Sequence, residues 1–524
     1  MMITMRSGGP RHELSVDRRY QVLAVTSAPQ GFAPSGWGRM DGWLLAYLFL
    51  PIPVLLLGFF TPWLSIPATA FALLAFARSS PFGSAAAPRW TGQTLAGALL
   101  LMAFAAAWTS LGGAGHLFHA NSIDWVPRYG VLRDLVVFDW PPRYTDAVGN
   151  ELILRAPLGY YLVPAVLGKL LGIAWADRVL LLWTWLGVSL FFLANFGGSP
   201  ARRFLVLILF AIASGMDIAG VYWKDGMPWL GSHIEWWTGR MKYSSNSTML
   251  YWIPNHVIPG WVLGAWLWRL QGSADFLRRV PVIGLAVMTW SPLPFVGALP
   301  MIAVIGWRFR GELMSGMHDL ARAFAHILFP ALLIAAYLLM GAGGIKAWAV
   351  VPPNTALVGG GFTWWTDTLV FIVIEVMAFG VLARQCDRSS VLDSGLLLLC
   401  LLPFFSFGPT NDLATLGAIP ALTLMWLTLI NELTSPYHQR RLSAGRRGLL
   451  VVLFLVGAVT PFQESYRALA LKQWDPDPSM PAPVAIAGFP AHYYAPASHW
   501  FAAVLKETQP LAYAAMGWTN AVRR

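Results

Sequence analysis

Cysteine and charge are both scarce in this sequence. Its 524 residues hold two cysteines, Cys386 and Cys400, and neither has a partner at metal-ligand spacing, so neither a disulfide framework nor a zinc cluster is implied. Charged residues make up 12 % of the chain, about half the roughly 25 % of an ordinary soluble domain. Also lacking are the apolar–polar alternation of membrane strands, which excludes a barrel, and a signal-peptide pattern in the polar, Arg-containing stretch Met1–Met40. What is abundant is apolar surface: 56 % of residues are hydrophobic, and the mean hydropathy is +0.56. A water-soluble fold has no interior large enough to hide that much.

Long apolar runs at Trp43–Phe60, Thr94–Trp108, Phe204–Ile218, Phe324–Met340, Val391–Phe407 and Leu449–Val459 approach the ~20 residues that cross a hydrocarbon core as a helix. The fold class that follows is all-α: a polytopic integral membrane protein with about 10–13 transmembrane helices. The net charge of +11 and 27 tryptophans do not point to nucleic acid, because the cations form short clusters between apolar runs and read as topology signals. Those clusters, at Arg78–Arg89, Arg308–Arg322, Arg384–Arg388 and His438–Arg447, place the N-terminus in the cytoplasm. The expected organisation is a disordered cytoplasmic tail over 1–40, a transmembrane module over 41–462, and an external segment over 463–524. External loops then cover 111–155, 222–254 and 341–366. One pass between Leu158 and Ile218 fails to fit the count, so a run there is re-entrant or lies along the surface. Ser291-Pro292-Leu293-Pro294 interrupts Val280–Trp307 and predicts a tight helical hairpin with the prolines at its tip. No internal repeat is visible, which weighs against the two-halved transporters.

The first external loop mixes Asp124, Asp134, Asp139, Asp146 and Glu151 with Arg128, Arg133, Arg143 and Arg155 more densely than any other external stretch. Around it run an apolar helix, a Val131-Leu-Arg-Asp-Leu segment, a Trp140-Pro-Pro turn, and Pro157-Leu-Gly-Tyr-Tyr-Leu leading to Gly168-Lys-Leu-Leu-Gly. In that order, over roughly Leu95–Gly215, the pattern resembles the N-terminal half of GT-C glycosyltransferases. The resemblance implies transfer of a sugar from a polyprenyl-phosphate-linked donor to a glycan, lipid or protein acceptor outside the cytoplasm, in a bacterial-type inner membrane. It also implies that the acidic residue of the first loop is the catalytic base. Two features depart from the family: two apolar runs precede the anchor helix, and the loop holds no Asp-x-Asp or Glu-x-Asp pair. The second departure makes metal dependence unexpected, and no cofactor is implied.

Asp124, flanked by Ile123, Trp125 and Val126, suits a partly desolvated base at the membrane lip, or else a solvated partner of Arg128. Asp139, before Trp140-Pro141-Pro142, is the second candidate. Asp134 reads as a structural pair with Arg133. Arg128, Arg143 and Arg155 are candidates for the donor phosphate, with headgroup anchoring as the alternative. In the second loop His233, Glu235 and Trp236, with Asn255 and His256, suit a sugar or acceptor pocket; His233-x-Glu235 alone is too little for a metal site. Asn411-Asp412 either joins that cavity or caps a helix. The Pro- and aromatic-rich end of the chain covers the cavity or packs on the loops, with a short helix expected over Phe501–Lys506. A lipid or polysaccharide translocator, and after it a polysaccharide polymerase, are the alternatives to the enzyme. A translocator buries ionisable residues inside its helices, and most of the long runs are poor in them.

Overall fold

The computed structural model describes residues 36–83, 92–120, 122–146, 149–239, 241–342, 347–348, 364–407, 411–473, 477 and 493–510. Expectations for the N-terminal tail up to residue 35, for most of the loop 341–366 and for most of 474–492 fall outside these residues.

Helices dominate, as the apolar runs predict. Among the described residues six are long and apolar enough to cross a membrane: Arg39–Phe59, Ile173–Asn195, Met317–Leu339, Trp365–Cys386, Asp412–Thr434 and Ala444–Ala470. Four more, Thr94–Ser110, Gly159–Leu171, Pro292–Arg308 and Ser390–Phe404, are apolar but shorter. Pro51 divides the first span into Arg39–Phe49 and Pro51–Phe59, since proline brings no N–H for the helix ladder. The second early run forms the helix Pro62–Ser79. Between Leu158 and Ile218, Gly159–Leu171 ends at Gly172 with φ 94° and doubles back into Ile173–Asn195. Its 13 residues span about 20 Å, short of a ~30 Å hydrocarbon core. The hairpin at Ser291 forms as expected, joining Ala274–Trp290 to Pro292–Arg308.

At the centre Asp412–Thr434 is 94 % buried against Pro254–Leu270. A Cβ on Gly260 would come 2.5 Å from Ile419 Cγ2, and one on Gly264 would come 2.6 Å from the Pro420 carbonyl oxygen. Only glycine lets these two backbones approach so closely. Met317–Leu339, by contrast, is 28 % buried and turns Leu328, Leu332 and Leu339 outward. Buried polar contacts fix the bundle elsewhere. Asp41 Oδ1 accepts from Arg269 Nη2 at 2.6 Å and from Trp266 Nε1 at 2.8 Å, while Arg269 Nη1 donates to the Ala194 carbonyl at 2.8 Å. Removing one partner of such a buried pair leaves an uncompensated charge, a loss of about 3–5 kcal/mol.

A small antiparallel sheet lies on the first loop, with Glu151–Leu154 between Arg143–Thr145 and Tyr494–Pro496. Its register pairs Arg143 with Ile153 and Leu154 with Tyr494. The end of the chain is thereby tied to that loop, and the expected short helix appears as a 3-10 segment, Trp500–Val504.

Candidate functional site

Asp124 and Arg128 stand one turn apart on the helix Ser122–Val137, with the acid in the first turn, where the helix dipole favours it. The buried face of this helix carries Val131, Leu132 and Leu135. Trp125 anchors its start, donating from Nε1 to the Tyr251 carbonyl at 2.7 Å. Gly113 lies so close under the indole that a Cβ there would overlap the ring. The helix is therefore held rigidly against the break between Asn246–Trp252 and Pro254–Leu270.

That break brings the two loops together. Arg128 Nη1 donates to Asp124 Oδ1 at 3.0 Å and also to the Asp124 carbonyl. Its Nε donates to Asn255 Oδ1 at a long 3.4 Å. With that oxygen taken as acceptor, the Asn255 amide nitrogen donates to His256 Nε2 at 3.0 Å. The His256 proton must then sit on Nδ1, which donates to Ser291 Oγ at 2.7 Å. Arg128, Asn255, His256 and Ser291 thus form one directed relay ending at the tip of the hairpin, with His256 a neutral tautomer. Burial is the largest single effect on Arg128 and opposes its charge, but Asp124, Tyr161 and Tyr493 together outweigh it and raise the guanidinium above its ordinary value. Asp124 keeps 26 % of its side chain exposed while Arg128 keeps 6 %, so the carboxylate is the accessible member of the pair.

Tyr493, from the end of the chain, closes this group. Burial pushes its phenol above the ordinary value; Arg128 works against that shift, and Asp124 and Asp412 add to it. Asp412 therefore stands within electrostatic reach of the cluster. Asn411, whose side chain caps no helix N–H, accepts from the Phe407 N–H at 3.3 Å. Arg155 joins through its backbone, which donates to the Tyr493 carbonyl at 2.6 Å. Burial lowers its guanidinium from the ordinary value, and Tyr337 partly offsets this.

The remaining candidates lie elsewhere. Asp139 is exposed and close to Lys169. Arg143 sits in the small sheet, where Nη2 donates to the Lys506 carbonyl at 3.3 Å and Nη1 is 3.9 Å from Glu151. His233 and Glu235 diverge. His233 Nδ1 meets Glu464 Oε1 at 2.8 Å, whereas Glu235 is wholly buried and accepts from the Ser245 N–H at 2.9 Å. Among the described residues no group of three or more His, Cys, Asp and Glu is placed to hold a metal ion.

His233 instead belongs to a second polar group next to the first. Its ring lies 4.3 Å from that of Trp252, and Trp252 Nε1 donates to Glu464 Oε2 at 3.0 Å. Arg467 Nε is 3.6 Å from the same carboxylate, and Lys242 Nζ lies 5.3 Å from the rings of both Trp236 and Trp252. A shallow, water-sized recess opens here, lined by His119, Tyr251, Trp252, Glu464 and Arg467 among others. Residues 251–256 carry both groups on one short strip of chain.

No family model, curated protein or solved structure matches this chain.

Sequence reasoning missed Glu464, Ser291 and Tyr493 as members of these groups. Ser291 was legible as the hairpin tip and Tyr493 as part of the aromatic tail, but nothing local signals which surface either meets. Glu464 carries a weak signal, as the acidic residue in a helix that begins apolar.

Proposed function

We propose that the protein is a polytopic membrane glycosyltransferase, passing a sugar from a polyprenyl-phosphate-linked donor to a glycan, lipid or protein acceptor on the external side of the membrane. The observation that carries this reading is the meeting of Asp124 and Arg128 with Asn255 and His256. An accessible carboxylate stands beside a buried guanidinium on an aromatic and hydroxyl-lined floor. In this reading Asp124 takes the proton of the acceptor hydroxyl as that oxygen attacks the anomeric carbon. The bond to the lipid phosphate breaks at the same time, and Arg128 and Arg155 neutralise the departing phosphate. Arg128 has five N–H donors in a fixed fork, so it can bind phosphate while still orienting Asn255. In this reading the aromatic faces of Trp236 and Trp252 stack a sugar ring of donor or acceptor. Arg143, tied to Lys506, holds the end of the chain rather than the phosphate.

A lipid or polysaccharide translocator is the second reading, favoured by one observation: Glu375 is buried inside the apolar helix Trp365–Cys386. Purified protein in liposomes, given polyprenyl-phosphate hexose and envelope glycan, separates the two. A transferase releases polyprenyl phosphate and extends the glycan, and does so in EDTA because arginines carry the leaving group. Donor that crosses the bilayer intact, with no release, favours the translocator. Loss of transfer in EDTA with recovery on Mn²⁺ or Mg²⁺ would contradict the arginine-only leaving-group step.

A further inference from the structure

Three acidic side chains outside the site described above converge where the helix Asp217–Asp225, the loop around Glu235 and the helix Trp365–Cys386 meet. Asp217 and Glu235 have no exposed surface and Glu375 has 1 %. Asp217 Oδ2 accepts from the hydroxyls of Thr460 at 3.0 Å and Ser214 at 3.3 Å, and Glu235 Oε1 accepts from the Ser245 N–H. Asp217 Oδ1, Glu235 Oε2 and both oxygens of Glu375 are buried with no hydrogen-bond partner among the described residues. One further polar atom turns towards Glu375, the Nε1 of Trp237, which is 95 % buried and has no other partner among the described residues. Glu375 lies in a π-helical turn, Ile372–Met377, a distortion that recurs at functional positions. Gly215 makes room for it, since a Cβ there would overlap Glu375 Oε2.

No cation among the described residues balances this charge. Among the described residues no Lys, Arg or His forms an ion pair with any of the three acids. The charged groups on the surrounding elements are engaged elsewhere: Lys224 pairs with Asp367 at 3.3 Å, and Glu464, one turn beyond Thr460, binds His233, Trp252 and Arg467. Tyr243, the other titratable group facing Glu375, donates to the Leu399 carbonyl at 2.6 Å. Three buried, unpaired carboxylates would carry a desolvation cost that no fold of ordinary stability offsets.

We propose that Asp217, Glu235 and Glu375 form a proton-binding site, in which Glu375 holds a proton at neutral pH and shares it with Asp217. One proton between facing carboxyl oxygens turns two unpaired acceptors into a donor and an acceptor. The Thr460 and Ser214 hydroxyls stabilise whatever negative charge stays on Asp217. Losing the proton places two charges in a space that none of the described cations enters, and drives the π-turn of Trp365–Cys386 away from Asp217. The site therefore couples protonation to the spacing of that helix and Ala444–Ala470, which also carries Glu464 of the recess.

The test is infrared spectroscopy of the full-length protein in lipid nanodiscs, following the carbonyl stretch of protonated carboxyls. In wild-type protein at neutral pH a protonated-carboxyl band is expected; it shifts in deuterium oxide, fades on raising the pH, and is absent from Glu375→Gln. Asp217→Asn, which keeps an oxygen facing Glu375, is expected to retain a band at shifted frequency. If Glu375→Gln does not fold, the wild-type pH titration and Asp217→Asn decide. No protonated-carboxyl band in wild type at neutral pH overturns the proposal. So does a band that sodium chloride abolishes at constant pH, which would assign a monovalent cation instead. Neither result bears on the transferase reading, which rests on Asp124 and Arg128.

Discussion

At the scale of single residues, burial decides what each charge does. Asp134 reads from sequence as the partner of Arg133, and the structure makes that pair at 2.7 Å while also giving its second oxygen the Tyr144 hydroxyl at 2.9 Å. Because its side chain is fully buried, its loss costs more than the surface-pair amount, ~1 kcal/mol or less, that the sequence alone implies. Asp134→Asn is expected to destabilise the protein by about 1–3 kcal/mol, read as a lowered thermal midpoint, with turnover near normal in the protein that remains folded. An unchanged midpoint contradicts this. Asp124 and Arg128 were legible as a candidate pair within a loop; that they share one face of the helix Ser122–Val137 was not. Nor was their meeting with Asn255, since that contact spans 127 positions and follows from how helices pack.

At the scale of elements, local chemistry was readable and long-range pairing was not. Prolines at Pro292 and Pro294 announce the hairpin at Ser291, and apolar runs announce the helices. The strand Tyr494–Pro496 is three residues long and gives no pattern that identifies Glu151–Leu154 as its partner. Glu375 was readable in principle, as a lone acid in an apolar run, but an apolar window averages it away. The sheet makes the end of the chain part of the first loop and places Tyr493 beside Arg128. Removing residues 475–524 is expected to leave a folded protein that binds donor lipid and transfers poorly, because the floor beneath Arg128 and the outer strand on Glu151–Leu154 are both lost. Unchanged turnover in the truncated protein would show that these residues only pack. Loss of donor binding as well would place Tyr493 in the phosphate site itself.

At the scale of the whole molecule, the described residues include six long apolar helices, and besides the Asp41–Arg269 pair two polar groups stand out: the strip 251–256 and the acidic site near Glu375. The first is where we propose transfer chemistry, and the second is where we propose proton binding. The two adjoin through Ala444–Ala470, which supplies Thr460 to one and Glu464 to the other. The account stands or falls on Asp124 as the base. The most direct measurement is sugar transfer by purified Asp124→Asn protein with a polyprenyl-phosphate hexose donor, alongside Asp139→Asn and a donor-binding assay. Asparagine keeps the shape and accepts a hydrogen bond from Arg128 but takes no proton. Turnover is expected to fall about 10²–10⁴-fold with donor affinity little changed, while Asp139→Asn stays near wild type. Full transfer by Asp124→Asn contradicts the account: with Asp139→Asn inactive the base moves to Asp139, and with both active the glycosyltransferase reading of the first loop fails.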